Sequence, residues 1–174
     1  MPVIINGNGT VDTGTVLVGN SDITGLATGA LPSTVIGAGA VLQVVSSTIN
    51  STFSSSSTSM TSTGISLSIT PSASSSKVLV KITGGNIQTT SGNAQPYFTV
   101  YRGASSLYGA RGLQQCWIQS GGGFSFPLAI ETLDSPATTS STTYTLYMAV
   151  NSLTVGINTP DNAYLTFTLM EIAA

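Results

Sequence analysis

The chain has 174 residues, of which 41% are hydrophobic and 6% charged, and it contains no histidine and one cysteine. A net charge of −2 argues against nucleic acid as a partner, because Lys and Arg side chains must neutralise its phosphates. Without histidine the chain can build neither a Ser-His-Asp triad nor an ordinary zinc site, so its composition favours a structural or binding protein over an enzyme.

Glycine interrupts residues 1–40 at short intervals, and no aromatic residue occurs before Phe53. Such a segment can neither close a core alone nor hold a stable helix, so it is either disordered or lies against something else. Its spaced aliphatic residues favour the second option, an extended arm that wraps partner subunits or a larger assembly. No apolar run reaches the roughly 18 residues of a membrane-spanning helix, so we expect no membrane insertion. The first residues also lack the pattern of a secretory signal. The aliphatic residues expected to make the arm's contacts are Ile4, Val16, Leu17, Ile23, Leu26, Leu31, Val35 and Ile36.

From residue 41 onward, hydrophobic residues alternate with Ser and Thr, as in strands that bury one face. The stretch 65–70, with the sequence ISLSIT, is the clearest instance. Short strands separated by turn residues, with no helical period, predict an all-β head over residues 41–174, a β-sandwich of jelly-roll-like form. The predicted strands are 41–46, 64–70, 77–83, 96–102, 114–118, 124–131, 143–150 and 163–172.

Several local features of the head carry their own expectations. Pro127 has no backbone N–H, so its strand should lie at a sheet edge or carry a bulge there. The sequence Gly84-Gly85-Asn86 predicts a turn after the third strand. The Ser/Thr tract 54–63 is compatible with either a solvated loop or a polar strand. Cys116 cannot form an intrachain disulfide because it is the only cysteine, and we expect it to be buried and inert.

The candidate recognition residues are aromatic or basic and lie in or beside the Gly/Ser/Gln-rich segment 84–123. Loops that carry such side chains on a rigid β scaffold suit recognition of glycans or protein surfaces. The alternative is that most of these rings pack in the core or between subunits, and that Arg102 and Arg111 pair with a carboxylate at a subunit contact. No catalytic, cofactor or metal-ligating motif is present, so we predict none of these sites. The recognition candidates are Tyr97, Tyr101, Tyr108, Arg111 and Trp117.

Several segments of the sequence form an ordered series. Residues 23–32 (ITGLATGALP) make a Gly/Ala-rich connector, and residues 41–45 (VLQVV) open the β region. Residues 69–80 (ITPSASSSKVLV) combine strand, turn and strand, and residues 133–139 (LDSPATT) and 169–174 (LMEIAA) complete the series. In this order the segments resemble the C-terminal domain of tail-fibre-like virion proteins from tailed phages of aquatic bacteria.

The resemblance implies a virion component, commonly a homotrimer, with a β-sandwich head on a narrow N-terminal attachment region. The hypothesis is therefore a non-enzymatic phage structural protein, a short trimeric tail fibre or fibre-like appendage. Residues 1–40 would dock it on the tail, baseplate or capsid of the virion, after synthesis in the bacterial host cytoplasm. Some members of the family contact a host surface glycan or protein, and no residue with that role is carried over to this chain. The alternatives are a capsid decoration or cement protein that stabilises the phage head, a glycan-binding adhesin, and a glycan-degrading enzyme.

Overall fold

The computed structural model describes residues 37–89, 92–117, 122–158 and 163–174. The eight arm residues named above lie outside these ranges. The chain divides into two units, Met1–Ala38 and Gly39–Ala174, and the described strands belong to the second. In chain order they are β1 (Val41–Ile49), β2 (Phe53–Ser55), β3 (Thr61–Ile69), β4 (Lys77–Thr89), β5 (Pro96–Arg102), β6 (Ser105–Ser106), β7 (Gln114–Gln115), β8 (Phe124–Asp134), β9 (Thr142–Val150), β10 (Val155–Ile157) and β11 (Leu165–Ile172).

The strands form two antiparallel sheets. In the first sheet the order is β1-β11-β4-β8. The short strand β10 pairs with the second half of β4, and β2 pairs with β10. In the second sheet the order is β3-β9-β5, with both β6 and β7 on the free edge of β5. When β6 and β7 are counted as one interrupted strand, this connectivity is that of an eight-stranded jelly roll. The predicted all-β, jelly-roll-like sandwich is confirmed.

The core lies between the two sheets and follows the alternation read from the sequence. In β4 the inward residues Val78, Val80 and Ile82 are buried, whereas Lys77 and Lys81 point outward and are exposed. Each fully buried Leu, Ile, Val, Phe or Met side chain contributes about 1.5–3 kcal/mol relative to an exposed one. The other large core residues are Ile87, Phe98, Leu128, Ile130, Tyr144, Leu146, Met148, Ile157, Leu165, Phe167 and Leu169.

The predicted strands are present, with two kinds of difference. Three strands of two or three residues (β2, β6 and β10) were missed, because such short elements show no period in the sequence. The predicted strand 114–118 is shorter in the structure, where only Gln114–Gln115 pairs with β5 and residue 118 lies outside the described ranges. The Ser/Thr tract is divided: Phe53–Ser55 forms β2, residues 56–60 connect, and β3 begins at Thr61.

The turn predicted at Gly84-Gly85-Asn86 is wrong, because β4 continues through these residues to Thr89. Gly84 and Gly85 have φ values of +88° and +68°, and the pairing with β8 shifts between Gly84 and Ile87. Gly84 pairs with Leu128 and Ile87 with Phe126, so two residues of β4 face the single residue Pro127. The glycines therefore make a bulge within the strand. Pro127 lies at this bulge and on the edge strand β8, as predicted.

The ends of the sandwich are distinct. At one end β1 begins beside the last residues of the chain, where the Gly39 N–H donates to the Ala173 carbonyl and the Ala173 N–H to that of Ala40, both at 2.8 Å. We call this the C-terminal end; it also includes the turn 70–76 and the loop 135–141. The opposite end carries residues 50–60, 92–95 and 151–154. Within the described ranges, no helix is long and apolar enough to cross a membrane.

Candidate interaction surfaces

The outer face of the second sheet gathers part of the predicted recognition set. Tyr97 and Tyr101 alternate along β5 with the buried Phe98 and Val100, so they project outward. The Tyr101 ring stacks on that of Tyr147 from β9, with centroids 3.8 Å apart and an interplanar angle of 21°. Sequence reasoning missed Tyr147, although its place between two buried residues of an alternating strand marks it as outward.

Arg111 completes this aromatic group. Its guanidinium carbon lies 5.7 Å from the centroid of the Tyr97 ring, within the range of a cation–π contact. The Tyr97 hydroxyl donates to the side-chain oxygen of Gln95 at 2.7 Å. Because the rings of Tyr101 and Tyr147 face each other, neither offers both of its faces to a sugar. The rings of this aromatic group thus make many of their contacts within the chain.

The two remaining candidates stand apart from this group. The Tyr108 hydroxyl shares a hydrogen bond of 2.7 Å with the hydroxyl of Thr132 in β8, which connects the loop between β6 and β7 to the first sheet. Trp117 follows β7, and its residue is 70% exposed. It is the aromatic candidate with the largest free surface in the described part of the chain. Cys116, predicted to be buried, is only half-buried, and its partial burial raises the pKa of its thiol.

Thr99 lies on the same outward side of β5, yet it is fully buried. The segment 107–113 arches over it, since the Leu107 N–H donates to the Val100 carbonyl at 3.0 Å and the Leu113 N–H to that of Phe98 at 2.7 Å. Gly112 makes this close approach possible, because a Cβ atom there would overlap the Phe98 carbonyl oxygen. The Thr99 hydroxyl has no hydrogen-bond partner in the described structure, an arrangement that costs stability.

An ion pair connects the two sheets at the C-terminal end. The Arg102 Nη1 donates to both carboxylate oxygens of Asp134 at 2.8 Å and to the Ser135 carbonyl at 3.1 Å. The Tyr144 hydroxyl donates to the same carboxylate at 2.8 Å, and burial together with this bond raises the pKa of Tyr144 above its ordinary value. Arg102 thus has a carboxylate partner within its own chain.

A buried carboxylate lies at the other corner of the same end. Glu171 takes the next inward position of β11 after Leu169 and is fully buried. The Gln43 side-chain amide donates to it at 2.6 Å, and the backbone N–H and the hydroxyl of Ser72 donate at 2.8 and 2.7 Å. Burial raises the pKa of Glu171, but these bonds and one from Ser76 outweigh it and hold the pKa at about 2. This carboxylate fastens the turn 70–76 to β1 and β11, a structural role.

The outer face of the first sheet carries a band of apolar residues that sequence reasoning missed. Strand register places one row of four side chains across the sheet: Val44 pairs with Met170, Met170 with Leu79, and Leu79 with Leu133. The next row toward the C-terminal end holds Val41 and Ile172, which pair with each other. We call these six residues the apolar band. Val41, Val44 and Leu133 are 54%, 55% and 50% exposed.

A signal for this band was present in the sequence. Strands buried on both faces read as continuous apolar runs, whereas strands with one wet face alternate. The run Val78-Leu79-Val80 breaks the alternation at the place where the band crosses β4. On the side of the band away from the C-terminal end, the outer face becomes polar. There the hydroxyls of Ser46 and Thr168 share a hydrogen bond of 2.8 Å, and Lys81 and Glu131 form an ion pair at 3.9 Å.

Comparisons with known proteins give only distant likenesses. No protein-family model and no curated protein sequence matches the chain. Among solved structures, that of infectious bursal disease virus, Gx strain, has 15% identity and a TM-score of 0.43, and the match covers 75% of this chain and 36% of that one. The VP2 subviral particle of the same virus has 15% identity and a TM-score of 0.40, with coverage of 75% and 33%. The chain thus spans about a third of the length of these proteins. Likeness at this level carries no conclusion about function.

Proposed function

We propose that the chain is a non-enzymatic structural protein of a virus particle, of the tail-fibre-like kind that its sequence resembles. The observation that supports this most is the jelly-roll connectivity of a head with very few ionisable groups. Jelly rolls occur in viral particle proteins, in lectins and in cupins, so the fold alone does not decide between these three classes of protein. The choice between them depends on the side chains that the fold carries.

The side chains favour a structural role over the other two. Metal-dependent chemistry on this scaffold would require a group of ligands, and no three His, Cys, Asp or Glu residues cluster for a metal ion in the described ranges. Among the carboxylates that the structure describes, the two most buried, Asp134 and Glu171, accept hydrogen bonds from strands of the facing sheet and from the turn 70–76, respectively. A lectin site uses open aromatic faces that lie together, whereas here Tyr101 and Tyr147 stack on each other and Trp117, the candidate with the largest free surface, stands apart from them.

We assign different roles to the two parts of the chain that the sequence distinguishes. Residues 41–174 form the projecting head, and residues 1–40 attach it to other virion proteins of the tail, baseplate or capsid. The resemblance favours three copies in each appendage. A capsid decoration or cement protein is the alternative, in which the same arm clamps neighbouring capsid subunits. In both cases the protein acts by binding and stabilising its neighbours.

Antibody labelling of purified virus particles tests the proposal. Gold-labelled antibodies against the head should decorate the particles, and their position should distinguish a tail or baseplate site from a capsid site. Particles from a virus with the gene deleted are the control and should remain unlabelled. If the protein is made during infection but is absent from purified particles, the structural role is refuted. If labelled capsids lose heat resistance when the gene is deleted, the cement alternative replaces the fibre.

A further inference from the structure

We infer that the outer face of the first sheet is a contact surface between two copies of this chain, related by a two-fold axis parallel to the strands. The inference goes beyond the proposed function: it concerns the pairing of two heads in solution, whereas the three copies favoured by the resemblance would assemble through the arm on the virion. Its starting point is the apolar band, which runs across β1, β11, β4 and β8 with half-exposed side chains at both edges. Contiguous exposed apolar surface of this kind marks interaction sites.

The two-fold axis follows from the pattern of the face. Rotation about an axis parallel to the strands places β1 over β8 of the second copy and β11 over β4. Val44 then faces the partner's Leu133, and Met170 faces the partner's Leu79. Every member of the four-residue row then meets an apolar side chain of the partner. Each such contact occurs twice, as it must in an isologous interface.

Charges on the face select the same axis. In this arrangement Lys81 faces the partner's Thr168, and Glu131 faces the partner's Ser46, so both charged groups meet hydroxyls that can bond to them. An axis perpendicular to the strands that passes through the four-residue row would instead place Lys81 against the partner's Lys77, and like charges at close range disfavour association. With the parallel axis, the Lys77 stem lies on the partner's Ile172 and its ammonium reaches solvent at the end of the sandwich.

The size of the face is sufficient for a specific contact. Four strands about 4.8 Å apart, and four outward rows about 7 Å apart, give a face of roughly 500 Å² per copy. Two copies together bury roughly 1,000 Å², the lower bound for a specific protein interface. The apolar band occupies the half of this face nearest the C-terminal end, and the polar row that includes Ser46 and Thr168 borders it on the other side.

Sedimentation equilibrium of the full chain tests the inference. The wild type should have twice the mass of one chain at concentrations of about 1–100 μM. Val44→Lys and Leu133→Lys should each weaken the association at least ~100-fold, because an ammonium becomes buried in the interface without a partner. Leu153→Lys is the matched control: Leu153 is 44% exposed and lies outside this face, so its substitution should leave the mass unchanged.

A double substitution tests the geometry. Val44→Lys combined with Leu133→Glu should restore dimer formation, because each introduced ammonium then faces an introduced carboxylate of the partner. Circular dichroism of each variant should match the wild type, because both positions are at least half exposed. A wild type that stays at the mass of one chain would overturn the inference. So would a wild type with the mass of three chains, a dimer that both single substitutions leave intact, or a double variant no tighter than the single ones.

Discussion

Replacing Glu171 with glutamine should lower the free energy of unfolding by about 3 kcal/mol at neutral pH, and this loss should vanish in acid. Burial alone would raise the pKa of the carboxyl, but bonds from Ser76, Gln43 and Ser72 lower it from 4.5 to about 2. One unit of pKa difference corresponds to about 1.4 kcal/mol, which gives the magnitude above. The glutamine side chain has one acceptor oxygen instead of two, so it can accept from the Gln43 amide or from Ser72 but not from both, and in this respect it resembles the protonated carboxyl.

The pH dependence follows from the direction of the shift. The folded pKa lies below the unfolded one, so the stabilisation is fully present above pH 4.5. As the pH falls, the unfolded chain binds the proton first, and the contribution is lost once the pH passes about 2. Glutamine binds no proton in this range. The unfolding free energies of the wild type and the variant should therefore converge as the pH approaches 2.

Urea unfolding followed by far-ultraviolet circular dichroism measures this difference across the acid range. All variants are compared in a Val44→Lys background, which we expect to have the mass of one chain, because self-association would otherwise contribute to stability and Glu131 lies on the proposed interface. Glu131→Gln is the control: its carboxylate is exposed and lies 3.9 Å from the Lys81 ammonium, so its loss should change stability by less than about 0.5 kcal/mol. Equal stability of Glu171→Gln and the wild type at neutral pH would refute the reasoning. A difference that persists unchanged in acid would refute the assigned pKa.

Two further substitutions test the packing around β5 by thermal unfolding. Thr99→Val should keep or raise Tm, because it removes a buried hydroxyl without a partner, and a loss above about 1 kcal/mol would show that the hydroxyl is bonded after all. Gly112→Ala should lower stability by at least about 2 kcal/mol, since its φ is +68° and the added methyl meets a backbone carbonyl. Gly109→Ala in the same loop faces open space, and if it destabilises as much as Gly112→Ala, the close approach is not the cause.

Alternation in the sequence predicted the inward faces correctly because the head has one core between two sheets. Tyr144, Leu146 and Met148 are buried on one side of β9 for this reason. The bulge at Gly84 and Gly85 could not be distinguished from a turn, because both require the same left-handed glycines. The difference depends on Leu128 and Phe126 in a distant strand, which continue to pair across the bulge.

The interaction surfaces were harder to predict than the fold. Local composition selected Tyr97, Tyr101, Tyr108, Arg111 and Trp117 as recognition candidates. The structure brings Tyr97, Tyr101 and Arg111 to one face, and their recognition role stays a prediction. Local composition could not indicate the structural role of Glu171, because this role depends on a hydrogen bond from Ser72, which lies in a turn far away in the sequence. The apolar band was missed because its members come from four strands and become neighbours only through register. The roles of the arm and of Trp117 remain predictions.

The most direct test of the account is to complement a gene-deleted virus with a chain that lacks residues 1–38. The described strands and the core lie beyond this segment, so the truncated protein should remain folded by circular dichroism. Its copy number in purified particles, measured by quantitative mass spectrometry against the full chain, should fall to background. A folded, truncated head that enters particles at the full-length level would contradict the proposal that the first forty residues attach this protein to the virion.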